Sequence, residues 1–280
     1  ILMDNLKKIV PNALNIAIEK SRGKFILRAD SHSIFPKNYV NRLITKLKEN
    51  DSIQNVGCIC ETIPNDSSRK SLAIALAASS IFGVGNSNFR INKKSKNIIE
   101  VDTVPFGCFR RQLFEKIGKF DEELIRNQDD EFNARIRKNG GKILLLQDLS
   151  IKIFARKNFS SLFSMFFQYG LFKPLVNKKI KKITSLRQLF PFINLISLLT
   201  GIVSASILKS IVPLILLTPY LILVTISAII ISIARKRIDV MFHILFSLIT
   251  IHLSYGLGYS QGIINLFFVK KKYYDLKVNR

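Results

Sequence analysis

The sequence predicts an α/β layer followed by a membrane region. Short strand-like runs alternate with helical patterns up to about residue 150. Carboxylates stand just beyond one predicted strand, at Asp30, and at the start of one predicted helix, at Asp129-Asp130-Glu131. After residue 188 come apolar runs of membrane length.

The elements follow in order. Leu6, Val10, Ala13, Leu14, Ala17 and Ile18 recur at helical spacing, so 5–21 reads as an amphipathic helix ended by Arg22-Gly23. Residues 24–28 form a short strand that runs into Asp30-Ser31-His32. Pro36 suits the first position of a helix over 36–49. Gln54 to Thr62 reads as a strand with Val56, Cys58 and Cys60 on one face. Residues 69–82 are apolar and Ala-rich, hence helical, and 85–96 is a polar loop. Glu100 to Val104 is a strand, 110–117 a helix, and 129–138 a helix closed by Asn139-Gly140-Gly141. Lys142 to Leu146 is a buried strand. The chain begins at Ile1 and opens with a helix, whereas open α/β sheets usually open with a βαβ unit. An upstream nucleotide-binding segment is therefore expected.

Phe159, Leu162, Phe163, Phe166 and Phe167 form an aromatic stripe that suits either a core or an interface. Lys152, Arg156, Lys157, Lys173, Lys178, Lys179, Lys181 and Lys182 around it favour a helix lying on a membrane surface. Residues 189–208, 210–234 and 240–258 are candidate spans, with Pro213 and Pro219 expected to bend the second. Gly256, Gly258 and Gly262 stand near the end of the third. The expected division is an α/β layer over 1–150, a basic amphipathic segment over 151–187 and a transmembrane region over 188–280 with about three spans. Basic flanks place 152–187 and 235–237 in the cytoplasm and Lys209 outside. Lys270-Lys271-Lys272 also calls for the cytoplasm, which three full spans would deny it.

Residues 1–150 hold 25 Lys/Arg against 17 Asp/Glu, and residues 151–280 hold 18 against 2. So basic a tail beside apolar runs points to anionic membrane lipids, and no nucleic-acid module is visible. The three cysteines, Cys58, Cys60 and Cys108, are too few and odd in number for a disulfide framework. His243 and His252 lie in apolar runs, which argues against a multi-His zinc site.

Asp30 and His32 can both ligate a divalent cation, and a strand end is where α/β layers bind ligands. The same residues also suit a turn in which Asp bonds nearby backbone N–H groups. Asp129, Asp130 and Glu131 suit a catalytic site, and they equally suit the positive end of a helix dipole. Glu131 and Arg135 have the spacing of an i,i+4 ion pair.

Taken together the motifs resemble the family 2 glycosyltransferases, which are inverting enzymes of the GT-A, Rossmann-like nucleotide-sugar fold. The resemblance is nearest to bacterial enzymes of succinoglycan and exopolysaccharide synthesis. It runs through Ala13-Leu14-Asn15, Ser21-Arg22-Gly23-Lys24, Arg28-Ala29-Asp30-Ser31-His32, Val104 to Arg111, Gly118 to Glu122 and Arg126 to Asn133. It continues in Gln168-Tyr169-Gly170 with Phe172-Lys173, in Ser185-Leu186-Arg187-Gln188 and in His252 to Gly258.

The resemblance implies a partial GT-A domain followed by transmembrane helices. It makes Asp30 the first Asp of the metal-binding Asp-x-Asp motif, with His32 in place of the second. It makes Asp129 the general base and puts Gln128 where the motif usually has Glu. Gly107 is expected to let the backbone approach the donor. Phe106, Cys108, Arg110, Gln128 and Asp130 are expected around the donor and acceptor. A Mg or Mn ion, a nucleotide sugar (a UDP-sugar by family habit) and a lipid-linked glycan acceptor are implied, at the cytoplasmic face of a bacterial inner membrane. Gln168 is not followed by the Arg-Trp of processive synthases, so addition of one sugar is expected over processive synthesis. A non-catalytic membrane subunit is the alternative from a different class.

Overall fold

The computed structural model describes residues 1–91, 95–183 and 186–269. Ser185 and Lys270-Lys271-Lys272 lie outside the described residues. In chain order the elements are α1 (Val10–Lys20), β1 (Phe25–Leu27), β2 (Ser33–Ile34), α2 (Tyr39–Lys48), β3 (Ile53–Ile63), α3 (Arg69–Ala78) and α4 (Ile81–Val84). Then come β4 (Ile98–Glu100), β5 (Cys108–Arg110), α5 (Arg111–Ile117), α6 (Gln128–Lys138) and β6 (Lys142–Phe154). The chain continues through α7 (Phe159–Ile180), α8 (Phe190–Leu208), α9 (Thr218–Ala234) and α10 (Met241–Ile264).

The strands form one six-stranded mixed sheet in the order β1-β5-β3-β6-β2, with β4 also on β6. β3 and β6 are the long parallel pair at its centre. Both are rich in Ile, Leu and Val because both of their faces are covered. Val56, Cys58 and Cys60 face α2, as their alternation predicts. Ile59 faces the opposite way, toward a cluster of Phe109, Phe114, Phe120 and Phe132. Phe114 and Phe132 stack with centroids 5.1 Å apart, which seats α5 and α6 on the sheet.

Several expected boundaries move for identifiable reasons. α1 begins at Val10 and not at residue 5, because Pro11 is accommodated only in a first turn. Pro36 lies ahead of α2, where its carbonyl accepts the Tyr39 N–H. The strand expected over 100–104 is instead Ile98–Glu100, paired with Leu144–Leu146. β6 does not end at Leu146. Its register with β3 shifts between Cys58 and Ile59, the irregularity absorbs Gln147 to Leu149, and pairing resumes to Phe154, beyond the division expected at 150.

α7 is not a free surface helix. Leu162 and Phe166 of the stripe are buried in a core shared with α3, α9 and α10. Gly residues let the α7 and α10 backbones touch: a Cβ at Gly258 would stand 2.0 Å from the Phe167 carbonyl oxygen, and one at Gly170 2.2 Å from that of Tyr255. Such small-residue contacts are how apolar helices pack closely.

Among the described residues three helical segments are long and apolar enough to cross a membrane: Phe190–Leu208, Val212–Ala234 and Ile238–Phe268. Two prolines stand near the start of the second. Val212–Leu217 is a 3-10 helix containing Pro213, and Pro219 sits in the first turn of α9. His252 on α10 bridges two other elements. Its Nε2 lies 2.8 Å from the Phe82 carbonyl and its Nδ1 3.2 Å from the Tyr220 hydroxyl. A carbonyl only accepts, so Nε2 carries the proton and Nδ1 accepts from Tyr220.

Candidate active site

Asp30 and Asp129 are far apart in sequence, and one side chain joins them. Arg28, the residue after β1, donates from Nε to Asp30 Oδ1 at 3.0 Å and from Nη2 to Asp30 Oδ2 at 3.1 Å. Its Nη1 lies 2.9 Å from each oxygen of Asp129. The guanidinium also sits over the Phe106 ring, 5.3 Å from its centroid. The sequence reading did not single out Arg28. The available signal was its position: on an extended chain, residues 28 and 30 share a face.

Each partner is held by its own element. The Arg28 N–H is bonded to the Gly107 carbonyl, which extends the β1–β5 pairing. Asp129 stands in the first turn of α6, behind Asn127 in the left-handed conformation at φ 61°. Asn127 donates its side-chain amide to the Tyr169 carbonyl, Arg126 donates to Gln168, and Lys173 contacts Asp130 at 2.6 Å. The start of α6 is thus tied to α7. Glu131 pairs with Arg135 at 2.6 Å, as the spacing suggested. Phe106 has φ 51°, and its carbonyl accepts the Tyr39 hydroxyl at 2.7 Å.

Burial raises the Asp129 pKa, the Arg28 cation opposes this, and the Asp130 charge adds to the rise; the net shift is upward. The Asp129 side chain keeps 24 % of its surface accessible. For Arg28, burial works to lower the pKa, and Asp129 and Asp30 outweigh it.

Asp30, His32, Phe106, Gln128, Asp129 and Asp130 all line one cleft of about 2670 Å³. The same cleft extends to Tyr220 and Val224 on α9 and to Ile251 and Tyr255 on α10. Three expected site residues lie elsewhere. Cys108 is fully buried against α2, and burial pushes its thiol up to about 12. Arg110 turns away to the carbonyls of Ile53 and Asn50 and to the Asp51 carboxylate. Gly107 meets protein rather than an open donor site: a Cβ there would stand 2.0 Å from Asn55 Oδ1.

Among the described residues no group of three or more His, Cys, Asp or Glu is gathered as for a metal. A cation bound mainly by substrate phosphates needs only one or two protein ligands. Asp30 fits that role, because each of its oxygens accepts one Arg28 N–H and retains a further lone pair. His32 is exposed beside it on the cleft.

An α/β layer with carboxylates at a strand end and a helix start is thus joined to helices long and apolar enough to cross a membrane. Residues 7–118 match the family described as Glycosyl transferase family 2. α6 and its Asp129 lie beyond the matched residues. The chain is 25% identical over 193 residues to the Succinoglycan biosynthesis protein ExoA of Rhizobium meliloti (strain 1021), covering 68% of this chain and 57% of that protein. It is 26% identical over 205 residues to the Dolichyl N-acetyl-alpha-D-glucosaminyl phosphate 3-beta-D-2,3-diacetamido-2,3-dideoxy-beta-D-glucuronosyltransferase of Methanococcus voltae, covering 71% of this chain and 61% of that one. The chain therefore spans about three fifths of the length of these curated relatives. The crystal structure of S. aureus TarS 1-349 superposes at a TM-score of 0.41 with 12% identity, covering 95% of this chain and 74% of that one, a likeness too loose to carry weight.

Proposed function

We propose that the protein transfers one sugar from a nucleotide sugar to a lipid-linked glycan at the cytoplasmic face of the plasma membrane, with inversion at the anomeric carbon. The observation that carries this reading is the continuous cleft from Asp30 and Asp129 to α9 and α10. An acceptor whose lipid lies among apolar helices can present its hydroxyl to a carboxylate at the other end of that cleft. The name of the Methanococcus voltae relative, which specifies a dolichyl phosphate-linked sugar, supports the same kind of acceptor.

In this reading the layer through β6 is catalytic, α8–α10 are the membrane region, and α7 joins them. Asp129 accepts the proton of the acceptor hydroxyl as its oxygen attacks the anomeric carbon. The bond from that carbon to the donor's phosphate oxygen breaks, and its electron pair leaves with the nucleoside diphosphate. Asp30, with His32, would hold Mg or Mn, which supplies charge neutralisation to the leaving diphosphate. Phe106 and Gln128 line the space for donor and acceptor. A UDP-sugar is the proposed donor.

The test uses membranes containing the protein and a panel of radiolabelled nucleotide sugars. Label passing into an organic-extractable lipid fraction, one sugar per lipid, supports the reading. Label in long water-soluble polymer indicates processive synthesis instead, and no transfer from any donor removes the proposed activity.

A further inference from the structure

We propose that Arg28 is a donor-responsive switch on the base: it masks Asp129 in the unliganded protein and releases it when the donor diphosphate binds. This rests on the glycosyl-transfer reading above. Three nitrogens of Arg28 are committed to the two carboxylates, and both oxygens of Asp129 are engaged by one of them. A carboxylate whose two oxygens both face one guanidinium nitrogen is stabilised in its charged form and is obstructed from the direction of that cation. Asp129 keeps a lone pair on each oxygen, and Arg28 closes it to an acceptor hydroxyl that approaches from the Asp30 side.

The same geometry contains the means of release. Among the described residues Arg28 is the cation bonded to both Asp30, on the proposed donor side, and Asp129, on the proposed acceptor side. Once Asp30 turns to a divalent cation, Arg28 Nε and Nη2 lose their acceptor. Two diphosphate oxygens then offer the planar guanidinium a doubly hydrogen-bonded partner of higher charge. The Arg28 backbone is fixed by its bond to Gly107, so the motion is a side-chain rotation. Phe106 supplies a flat face beneath the guanidinium, and the bond from Tyr39 to its carbonyl keeps its backbone still. Diphosphate binding and base exposure are thereby coupled, and the base opens only when a nucleoside diphosphate group occupies the donor side.

The test is carbodiimide coupling of the full-length protein in detergent with glycine ethyl ester, read by mass spectrometry of the tryptic peptide Asn127–Arg135. UDP, GDP, CDP and dTDP are each added with Mn²⁺, and binding is measured by calorimetry on the same sample. Asp130, paired with Lys173, is the reference within the same peptide. The switch predicts that a nucleotide that binds raises Asp129 labelling severalfold relative to Asp130. It also predicts that Arg28→Met labels at the high level without nucleotide. If that variant does not fold, the wild-type comparison decides alone. Binding with unchanged or reduced Asp129 labelling overturns the switch and leaves the transferase reading standing. Absence of binding by every nucleotide overturns both.

Discussion

Lys173 on α7 and Asp130 on α6 form an ion pair at 2.6 Å, with only 12 % of the Lys173 side chain exposed. The pair, with the Asn127–Tyr169 and Arg126–Gln168 bonds, fixes the start of α6 against a helix that itself packs on α10. The position of Asp129 therefore depends on the packing of membrane-length helices. Lys173→Met keeps the side-chain bulk and removes the cation facing Asp130. The expected cost is about 1–2 kcal/mol, between exposed and buried pairs. Thermal unfolding in detergent measures it, and the transfer rate should fall more than the donor affinity.

The α7–α10 contact has its own test. Gly258→Ala drives a methyl into the Phe167 carbonyl, a backbone atom with no rotamer to yield. It should destabilise the protein by about 1–3 kcal/mol, as overpacking does. Gly140→Ala is the comparison, because φ there is +77° with nothing near the added methyl. Left-handed strain alone should cost about 1 kcal/mol. Gly258→Ala should therefore lower both the melting temperature and transfer, and Gly140→Ala should lower the melting temperature only. Equal transfer in the two variants would count against the coupling of α7–α10 packing to the site.

The pH dependence follows from burial of Asp129. The base works ionised and fails when protonated. Its pKa is raised, so transfer should fall, as pH decreases, above the ordinary aspartate value of about 3.9. A rate profile under donor-saturating conditions checks this. A plateau that persists to the ordinary aspartate range contradicts it.

Much of this arrangement was legible in the sequence where local rules suffice. Alternation placed Val56, Cys58 and Cys60 on one face, apolar length marked the three helices long enough to cross a membrane, and the capping pattern marked Asn139-Gly140-Gly141. Long-range contacts were not legible. No spacing rule joins Arg28 to Asp129, because the link arises from two elements meeting over the sheet. Cys108 and Arg110 were drawn toward the site by their neighbours in the motif, although the strand turns them into the core and toward the β3 side. The lysines around 152–182 suggested a membrane surface, and within the stripe among them Leu162 and Phe166 are buried against other helices. Composition does not distinguish these cases when a partner helix lies far along the chain.

The central claim is that Asp129 is the base. Asp129→Asn preserves the size of the side chain and removes its proton affinity. The account predicts a fall in transfer rate of about 10²–10⁴-fold, the range of general-base contributions. Nucleotide-sugar binding, measured separately by calorimetry, should persist. Transfer by Asp129→Asn at a rate near that of the wild type would contradict the claim.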